Sequence, residues 1–199
     1  MFTMRGHVIQ YCINRFGFKR YLEIGLGECG KNFAGILCAE RVGVEKDITR
    51  TQAQILTKED AIFYMSSDDF FDQYKNIMRK FDLVFVDSWQ SYQQTSNDIF
   101  NAFAMLNEGG VVVVHDCIPG CDRDYDCAWR SLLDLRVMGD FDFVVGDFNK
   151  GVGVIVKSPN TKILKSCEIE YAEFKEKEKE LLRLVTAEGL EKWINTIGG

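Results

Sequence analysis

The most informative segment of the chain reads Tyr21-Leu-Glu-Ile-Gly-Leu-Gly-Glu-Cys-Gly-Lys-Asn32. Its first part is apolar and predicts a buried strand over residues 20–24. The glycines that follow allow a sharp turn and a close approach of a ligand to the backbone. A helix is predicted next, over residues 32–39, and its first N–H groups would point back at such a ligand. The segment therefore predicts the first strand–turn–helix unit of a ligand-binding α/β domain.

The rest of the chain repeats this alternation of strands and helices. Residues 83–86 and 111–114 are almost entirely apolar, which is typical of parallel strands buried on both faces. The last two strands are separated by a short turn at residues 146–151, so they must be antiparallel. We expect a doubly wound, Rossmann-like α/β sheet of about seven strands that ends in an antiparallel hairpin. The predicted strands are 20–24, 41–45, 61–65, 81–86, 111–115, 141–145 and 152–156, and the predicted helices are 3–16, 32–39, 49–57, 68–78, 94–106 and 127–135.

The end of the chain has a different composition. Residues 170–185 are rich in charge, with oppositely charged pairs at helical spacing. A second short helix is predicted around Leu190 and Trp193. We therefore divide the chain into a domain over residues 1–158 and a helical C-terminal extension over 159–199. This extension would pack on the domain edge, cover the site, or form a homodimer.

Composition limits the classes of function. The 199 residues carry a formal net charge of −6, with a pI near 5.1, which argues against a general nucleic-acid binder. Seven cysteines show no disulfide framework, and no secretory signal follows Met1. We expect a cytoplasmic protein without a membrane span.

The glycine segment fits three kinds of ligand. Gly25, Gly27 and Gly30 match the G-x-G-x-x-G pattern of dinucleotide-binding proteins, with Glu45 twenty residues after Gly25. A phosphate-binding loop is nearly matched as well, but Asn32 stands where a hydroxyl should hold Mg²⁺. The third pattern, E-x-G-x-G, begins at Glu23. An acid at the end of the strand suits a ligand with an ammonium group and is unfavourable beside phosphates.

Two later segments carry a family resemblance. Phe81-Asp-Leu-Val-Phe-Val-Asp-Ser-Trp-Gln-Ser-Tyr92 and Leu106-Asn-Glu-Gly-Gly-Val-Val-Val-Val-His-Asp-Cys-Ile-Pro119 resemble the fourth and fifth strands of class I S-adenosylmethionine (SAM)-dependent methyltransferases. The similar subgroup has D-x-x-H and HD signatures, and it is distantly similar to the catechol-type O-methyltransferases. The resemblance runs over residues 18–156. It implies O-methylation of a sugar or another small hydroxylated acceptor.

The resemblance also implies a SAM site. Glu23 would lie near the methionine ammonium group, Glu45 would accept hydrogen bonds from the ribose, and Asp68 would read the adenine amine. Trp89 would pack against the adenine. The complete set of implied cofactor-binding residues is Glu23, Gly25, Gly27, Gly30, Glu45, Ser67, Asp68, Asp87 and Trp89.

By comparison with the catechol-type enzymes, Asp87, His115 and Asp116 fall on catalytic and metal-ligand positions. They could bind Mg²⁺ or another divalent cation, which would lower the pKa of an acceptor hydroxyl. Alternatively, His115 and Asp116 only cap a strand and hydrogen-bond the following loop. Gln90 departs from the subgroup, which has His there, and Gln cannot act as a general base. A catalytically weak SAM-binding protein therefore remains as one alternative. An NAD-dependent oxidoreductase that uses the same glycine loop is the other.

Overall fold

The computed structural model describes residues 1–27, 31–47, 60–88, 91–120, 128–160 and 162–198. Within these residues, eight strands form one sheet and seven helices pack around it. The strands are β1 Arg20–Ile24, β2 Glu40–Val44, β3 Ala61–Phe63, β4 Phe81–Val86, β5 Leu106–Val114, β6 Asp142–Gly146, β7 Val152–Val156 and β8 Leu184–Val185. The helices are α1 Arg5–Phe16, α2 Lys31–Gly35, α3 Ser67–Tyr74, α4 Tyr92–Ala104, α5 Ala128–Met138, α6 Tyr171–Leu181 and α7 Ala187–Ile194.

The strand order is β3-β2-β1-β4-β5-β7-β6-β8. Strand β7 is antiparallel to both β5 and β6, and the remaining neighbours are parallel. The chain order reverses between β1 and β4, and ligands bind at such a switch point in open α/β sheets. The predicted doubly wound sheet with an antiparallel end hairpin is confirmed.

Alternate side chains of the central strands build two apolar cores. Leu22 and Val84 belong to the core that lies under α3, α4, α5 and α6. Tyr21, Leu83 and Phe85 face the opposite core, under α1, α2 and α7. Because both faces are buried, these strands are apolar at nearly every position, which is why the sequence indicated them so clearly.

Local hydrogen bonds explain where two helices depart from the predicted bounds. Helix α2 ends at Gly35, earlier than predicted, and the Arg41 guanidinium donates to the carbonyl groups of Phe33 and Ile36 at that end. Helix α4 begins at Tyr92, two residues earlier than predicted, because the Ser91 side chain caps it by accepting from the Gln94 amide. The predicted helix 49–57 lies outside the described residues.

The C-terminal residues pack tightly on the sheet. Trp129 of α5 stacks on Phe174 of α6 with ring centroids 3.9 Å apart, and both rings are buried. Strand β8, which was not predicted, adds Leu184 and Val185 to the edge of β6. The division at residue 158 stays a prediction. Among the described residues, no helix combines the length and the apolar character needed to cross a membrane.

Candidate active site at the carboxyl ends of the strands

The backbone ladder of the sheet continues one residue past four strands. Gly25 N donates to Val44 O at 2.9 Å, and Asp87 N donates to Ile24 O at 2.9 Å. In the same way, His115 N donates to Val86 O at 3.1 Å. The residues that follow β1, β4 and β5 are thus fixed side by side at one edge of the sheet.

The glycine turn after β1 has two distinct parts. Gly25 has φ 85°, and a Cβ there would lie 2.6 Å from the carbonyl carbon of Asp87 and 2.7 Å from Ser88 Cα, so only glycine fits this crossing. Gly27 has φ 62°, and a Cβ there would meet no described atom within 4 Å. The turn is therefore packed against β4 at its base, and the described residues leave space beside Gly27, where a ligand could approach the backbone.

Glu45 follows β2 and braces this turn. Its Oε2 accepts from Gly27 N at 3.1 Å, and its Oε1 accepts from Asp47 N at 3.2 Å. Each carboxylate oxygen can accept more than one hydrogen bond. The half-buried Glu45 can therefore hold the turn and still accept hydroxyl donors from a ligand.

Glu23 is buried beneath the turn, with 1% of its surface exposed. Its Oε2 accepts from Tyr21 Oη at 2.5 Å and from Asn32 Nδ2 at 3.0 Å. Burial raises the pKa of the Glu23 carboxyl to about 8, although both hydrogen bonds oppose that change. Near neutral pH without a ligand, the carboxyl is therefore mostly protonated.

Ser67 and Asp68 begin α3 beside a second polar network. Gln94 Nε2 lies 3.0 Å from Ser67 Oγ, from Asp68 Oδ1 and from Asp98 Oδ1. Asp98 is fully buried and also accepts from the Ser88 hydroxyl, and burial raises its pKa. This network ties Ser88, two residues after β4, to the start of α3, and these are the two places expected to surround an adenine.

Asp87, His115 and Asp116 come together at the centre of the edge. One ligand atom from each lies within 4.8 Å of the others, and His115 is buried. His115 Nδ1 lies 3.1 Å from Asp87 Oδ1 and 3.2 Å from Asp116 Oδ1. Two carboxylates and one imidazole nitrogen are a donor set that suits a divalent cation.

The turn between β6 and β7 fixes the orientation of the imidazole ring. His115 Nε2 lies 2.8 Å from the Asn149 carbonyl oxygen, which can only accept, so Nε2 carries a proton. Asn149 presents this carbonyl from a backbone with φ 50°, which Asn tolerates better than most residues. With Nε2 protonated, Nδ1 faces the two carboxylates either as an N–H donor or as a lone pair shared with a cation. A metal-bound histidine is commonly held by such a hydrogen bond from its other nitrogen to a backbone carbonyl.

Arg5, in the first turn of α1, also reaches this cluster. Its Nε lies 3.3 Å from Asp87 Oδ2, and its Nη1 lies 3.4 Å from His115 Nε2. The Arg5 amide donates to Asn149 Oδ1 at 2.9 Å, which holds the start of α1 against the turn between β6 and β7. A cationic side chain thus lies beside the acidic cluster.

Comparisons with known proteins agree with this geometry. A family model described as a methyltransferase domain matches residues 22–117. Those residues, just under half of the chain, resemble a methyltransferase domain. Comparison with curated protein sequences gives no match.

Solved structures of O-methyltransferases share the fold of this chain. The O-methyltransferase from Bacillus cereus in complex with SAH has a TM-score of 0.62 at 17% identity, and the match covers 77% of this chain and 80% of that one. A putative caffeoyl-CoA O-methyltransferase from Staphylococcus aureus also has a TM-score of 0.62, at 15% identity, with coverage of 77% and 82%. The MycE methyltransferase from the mycinamycin biosynthetic pathway, in complex with Mg, SAH and mycinamycin VI, has a TM-score of 0.55 at 13% identity, and the match covers 77% of this chain and 48% of that one. The predicted resemblance to class I SAM-dependent methyltransferases, and distantly to the catechol type, is confirmed.

Three positions named from the sequence lie outside the described residues, namely Gly30, Trp89 and Gln90. Sequence reasoning also missed Arg5 and Asn149, which reach the candidate site from the start of α1 and from a hairpin turn. A turn at Asn149 was weakly indicated, since Asn followed by Lys and Gly is typical of a turn, but no pattern indicated a role in the site. Two cavities of about 640 and 810 Å³ open at the opposite edge of the sheet and contain none of the predicted site residues.

Proposed function

We propose that the protein transfers a methyl group from SAM to a hydroxyl oxygen of a small acceptor. The observation that carries this proposal is the convergence of Asp87, His115 and Asp116 beside the glycine turn of a methyltransferase domain. Polar groups converging at the switch point of an open α/β sheet are a reasonable basis for an active site.

The positions of the residues support the following cofactor roles. The open tip of the turn at Gly27 would admit the methionine part of SAM, whose ammonium group would lie near Glu23. Glu45 would accept the ribose hydroxyls while it braces the turn through Gly27 N. Asp68, held by Gln94, would accept from the adenine amine, and the network with Ser88 would keep the adenine pocket in place.

Methyl transfer is an in-line displacement. A bond forms between the acceptor oxygen and the methyl carbon as the bond between carbon and sulfur breaks, and its electron pair neutralises the sulfonium. The protein mainly has to hold the acceptor oxygen in line with the methyl group. Asp87, His115 and Asp116 would place the acceptor there. One of their carboxylates, or His115 Nδ1 when it is not protonated, would take the hydroxyl proton, since Gln90 cannot.

The donor set also fits a divalent cation. Asp87, His115 and Asp116 would hold it, and the hydrogen bond from His115 Nε2 to Asn149 would keep the Nδ1 lone pair turned inward. Such a cation lowers the pKa of a nearby hydroxyl and so helps to form the nucleophile. The MycE methyltransferase structure, which contains Mg, supports this proposal through its similar fold alone.

The test is methyl transfer from labelled SAM to a panel of sugars, phenols and catechols, with and without EDTA. We expect transfer to at least one hydroxylated acceptor, a loss of rate with EDTA, and a large loss in Asp116→Asn. Asp147→Asn is the matched control because Asp147 is exposed in the nearby turn between β6 and β7. Full activity of Asp116→Asn would contradict the proposed role of the cluster. Reduction or oxidation of an acceptor with NAD, and no methyl transfer, would favour an oxidoreductase.

A further inference from the structure

The start of α1 places a permanent positive charge beside the acidic cluster. Arg5 Nε lies 3.3 Å from Asp87 Oδ2, and the side chains of Arg5 and Asp87 are 28% and 16% exposed. The guanidinium group of an arginine carries a positive charge. Asp87 is therefore already paired with a cation that belongs to the chain itself.

The contact of Arg5 with His115 is not a normal hydrogen bond. Arg5 Nη1 lies 3.4 Å from His115 Nε2, but this nitrogen already donates its proton to Asn149 O at 2.8 Å. Two donors face each other across this contact, so it contributes no attraction. What holds the guanidinium at the cluster is the negative charge of Asp87, and Asp116 contacts the same nitrogen of His115 as Asp87 does.

We infer that Arg5, as a cation supplied by the chain itself, competes with a divalent metal ion for the Asp87 carboxylate. A divalent ion held by Asp87, His115 and Asp116 would lie a few ångströms from the guanidinium, and like charges at this distance in a half-buried site repel strongly. Arg5 must therefore move outward for the metal to bind, and its partly exposed side chain has a path to solvent. Arg5 then sets the metal affinity of the site. This inference rests on the metal binding proposed above.

The opposite role for Arg5 is also chemically reasonable and gives the opposite result. Arg5 bonds Oδ2 of Asp87, whereas His115 faces Oδ1. If the metal used only Oδ1, Arg5 would orient the carboxylate and strengthen metal binding, as residues behind metal ligands often do. The direction of the change in metal affinity on removing Arg5 therefore decides between the two roles.

The experiment measures Mn²⁺ affinity by calorimetry and by the loss of the free Mn²⁺ signal in electron paramagnetic resonance, on the full chain without SAM. We expect Arg5→Gln and Arg5→Met to bind Mn²⁺ at least about tenfold more tightly than the wild type, because one competing positive charge is gone. Arg5→Lys keeps the charge and should stay close to the wild type. Arg15→Gln is the matched control, since Arg15 is an exposed residue of the same helix about 15 Å further along it.

Each outcome decides the inference. Tighter Mn²⁺ binding in Arg5→Gln and Arg5→Met, with no change in Arg15→Gln, supports competition. Unchanged or weaker binding in the Arg5 variants overturns it, and weaker binding assigns Arg5 the orienting role. If neither the wild type nor any Arg5 variant binds Mn²⁺, the proposed metal site fails and the inference fails with it. Urea unfolding of each variant separates a loss of the fold from a loss of the site.

Discussion

The buried carboxyl of Glu23 makes the stability of the unliganded protein depend on pH. Its pKa is raised from 4.5 to about 8, because burial beneath the glycine turn disfavours the charged form. The folded state therefore keeps a proton that the unfolded chain releases above about pH 4.5. The contribution of the Glu23 carboxyl to the free energy of unfolding is fully present below pH 4.5 and is lost as the pH rises toward 8.

Replacing Glu23 by Gln removes this dependence while keeping the size of the side chain. The interval from 4.5 to about 8 corresponds to about 5 kcal/mol, at about 1.4 kcal/mol per pH unit. Glu23→Gln keeps a carbonyl oxygen that can accept from Tyr21 and Asn32, so it should fold. Between about pH 5 and about pH 8, we expect the wild type to lose roughly 4 kcal/mol relative to Glu23→Gln.

Urea unfolding of both proteins, followed by tryptophan fluorescence across this pH range, measures the difference. Glu176→Gln is the control for the change in charge, because Glu176 is exposed on α6. A free-energy difference between wild type and Glu23→Gln that stays constant over the range would refute the reasoning. It would mean that Glu23 is ionised in the folded protein and that its burial is compensated by Tyr21 and Asn32.

Three further substitutions test separate parts of the account. Glu45→Ala removes the brace of the turn and the predicted ribose acceptor, so SAH affinity measured by calorimetry should fall about 10- to 100-fold, while unchanged affinity would exclude the ribose role. Gly25→Ala places a Cβ against the backbone of Asp87, at a residue with a positive φ. Urea unfolding should show that the free energy of unfolding falls by about 2 kcal/mol or more. A fall below about 0.5 kcal/mol would mean that the backbone of Gly25 does not pack closely against Asp87. Trp129→Ala removes the stack on Phe174 and should lower the free energy of unfolding by about 3–5 kcal/mol in the same assay. A much smaller decrease would mean that the packing of α6 on the domain does not depend on this contact.

The sequence predicted the central sheet well because burial on both faces leaves a direct signal. Val111–Val114 and Leu83–Val86 are apolar at every position, and a pattern of that length has few other interpretations. The antiparallel hairpin also followed from chain length, since a short turn at 146–151 cannot accommodate a parallel crossover. Strand β8 escaped prediction because Leu184 and Val185 form only two ladder positions on β6.

The site was predictable where it depends on strand ends and was not predictable where it depends on packing between distant segments. Asp87 and His115 follow neighbouring parallel strands, so their proximity follows from topology alone. Arg5 and Asn149 lie more than a hundred positions apart in the chain, yet both contact this site. No local sequence pattern could have predicted their contact. The burial of Glu23 also depends on how α2 closes over β1, which a single strand pattern does not reveal.

The central claim is that the turn after β1 binds an adenosyl amino acid rather than a dinucleotide. Titration calorimetry with SAH and with NAD, near pH 7 in two buffers of different ionisation enthalpy, tests it most directly. We expect SAH to bind with release of up to about one proton, because the ligand's ammonium group favours the ionised form of Glu23. We expect no binding of NAD. Binding of NAD or of a nucleoside triphosphate, without binding of SAH, would contradict it.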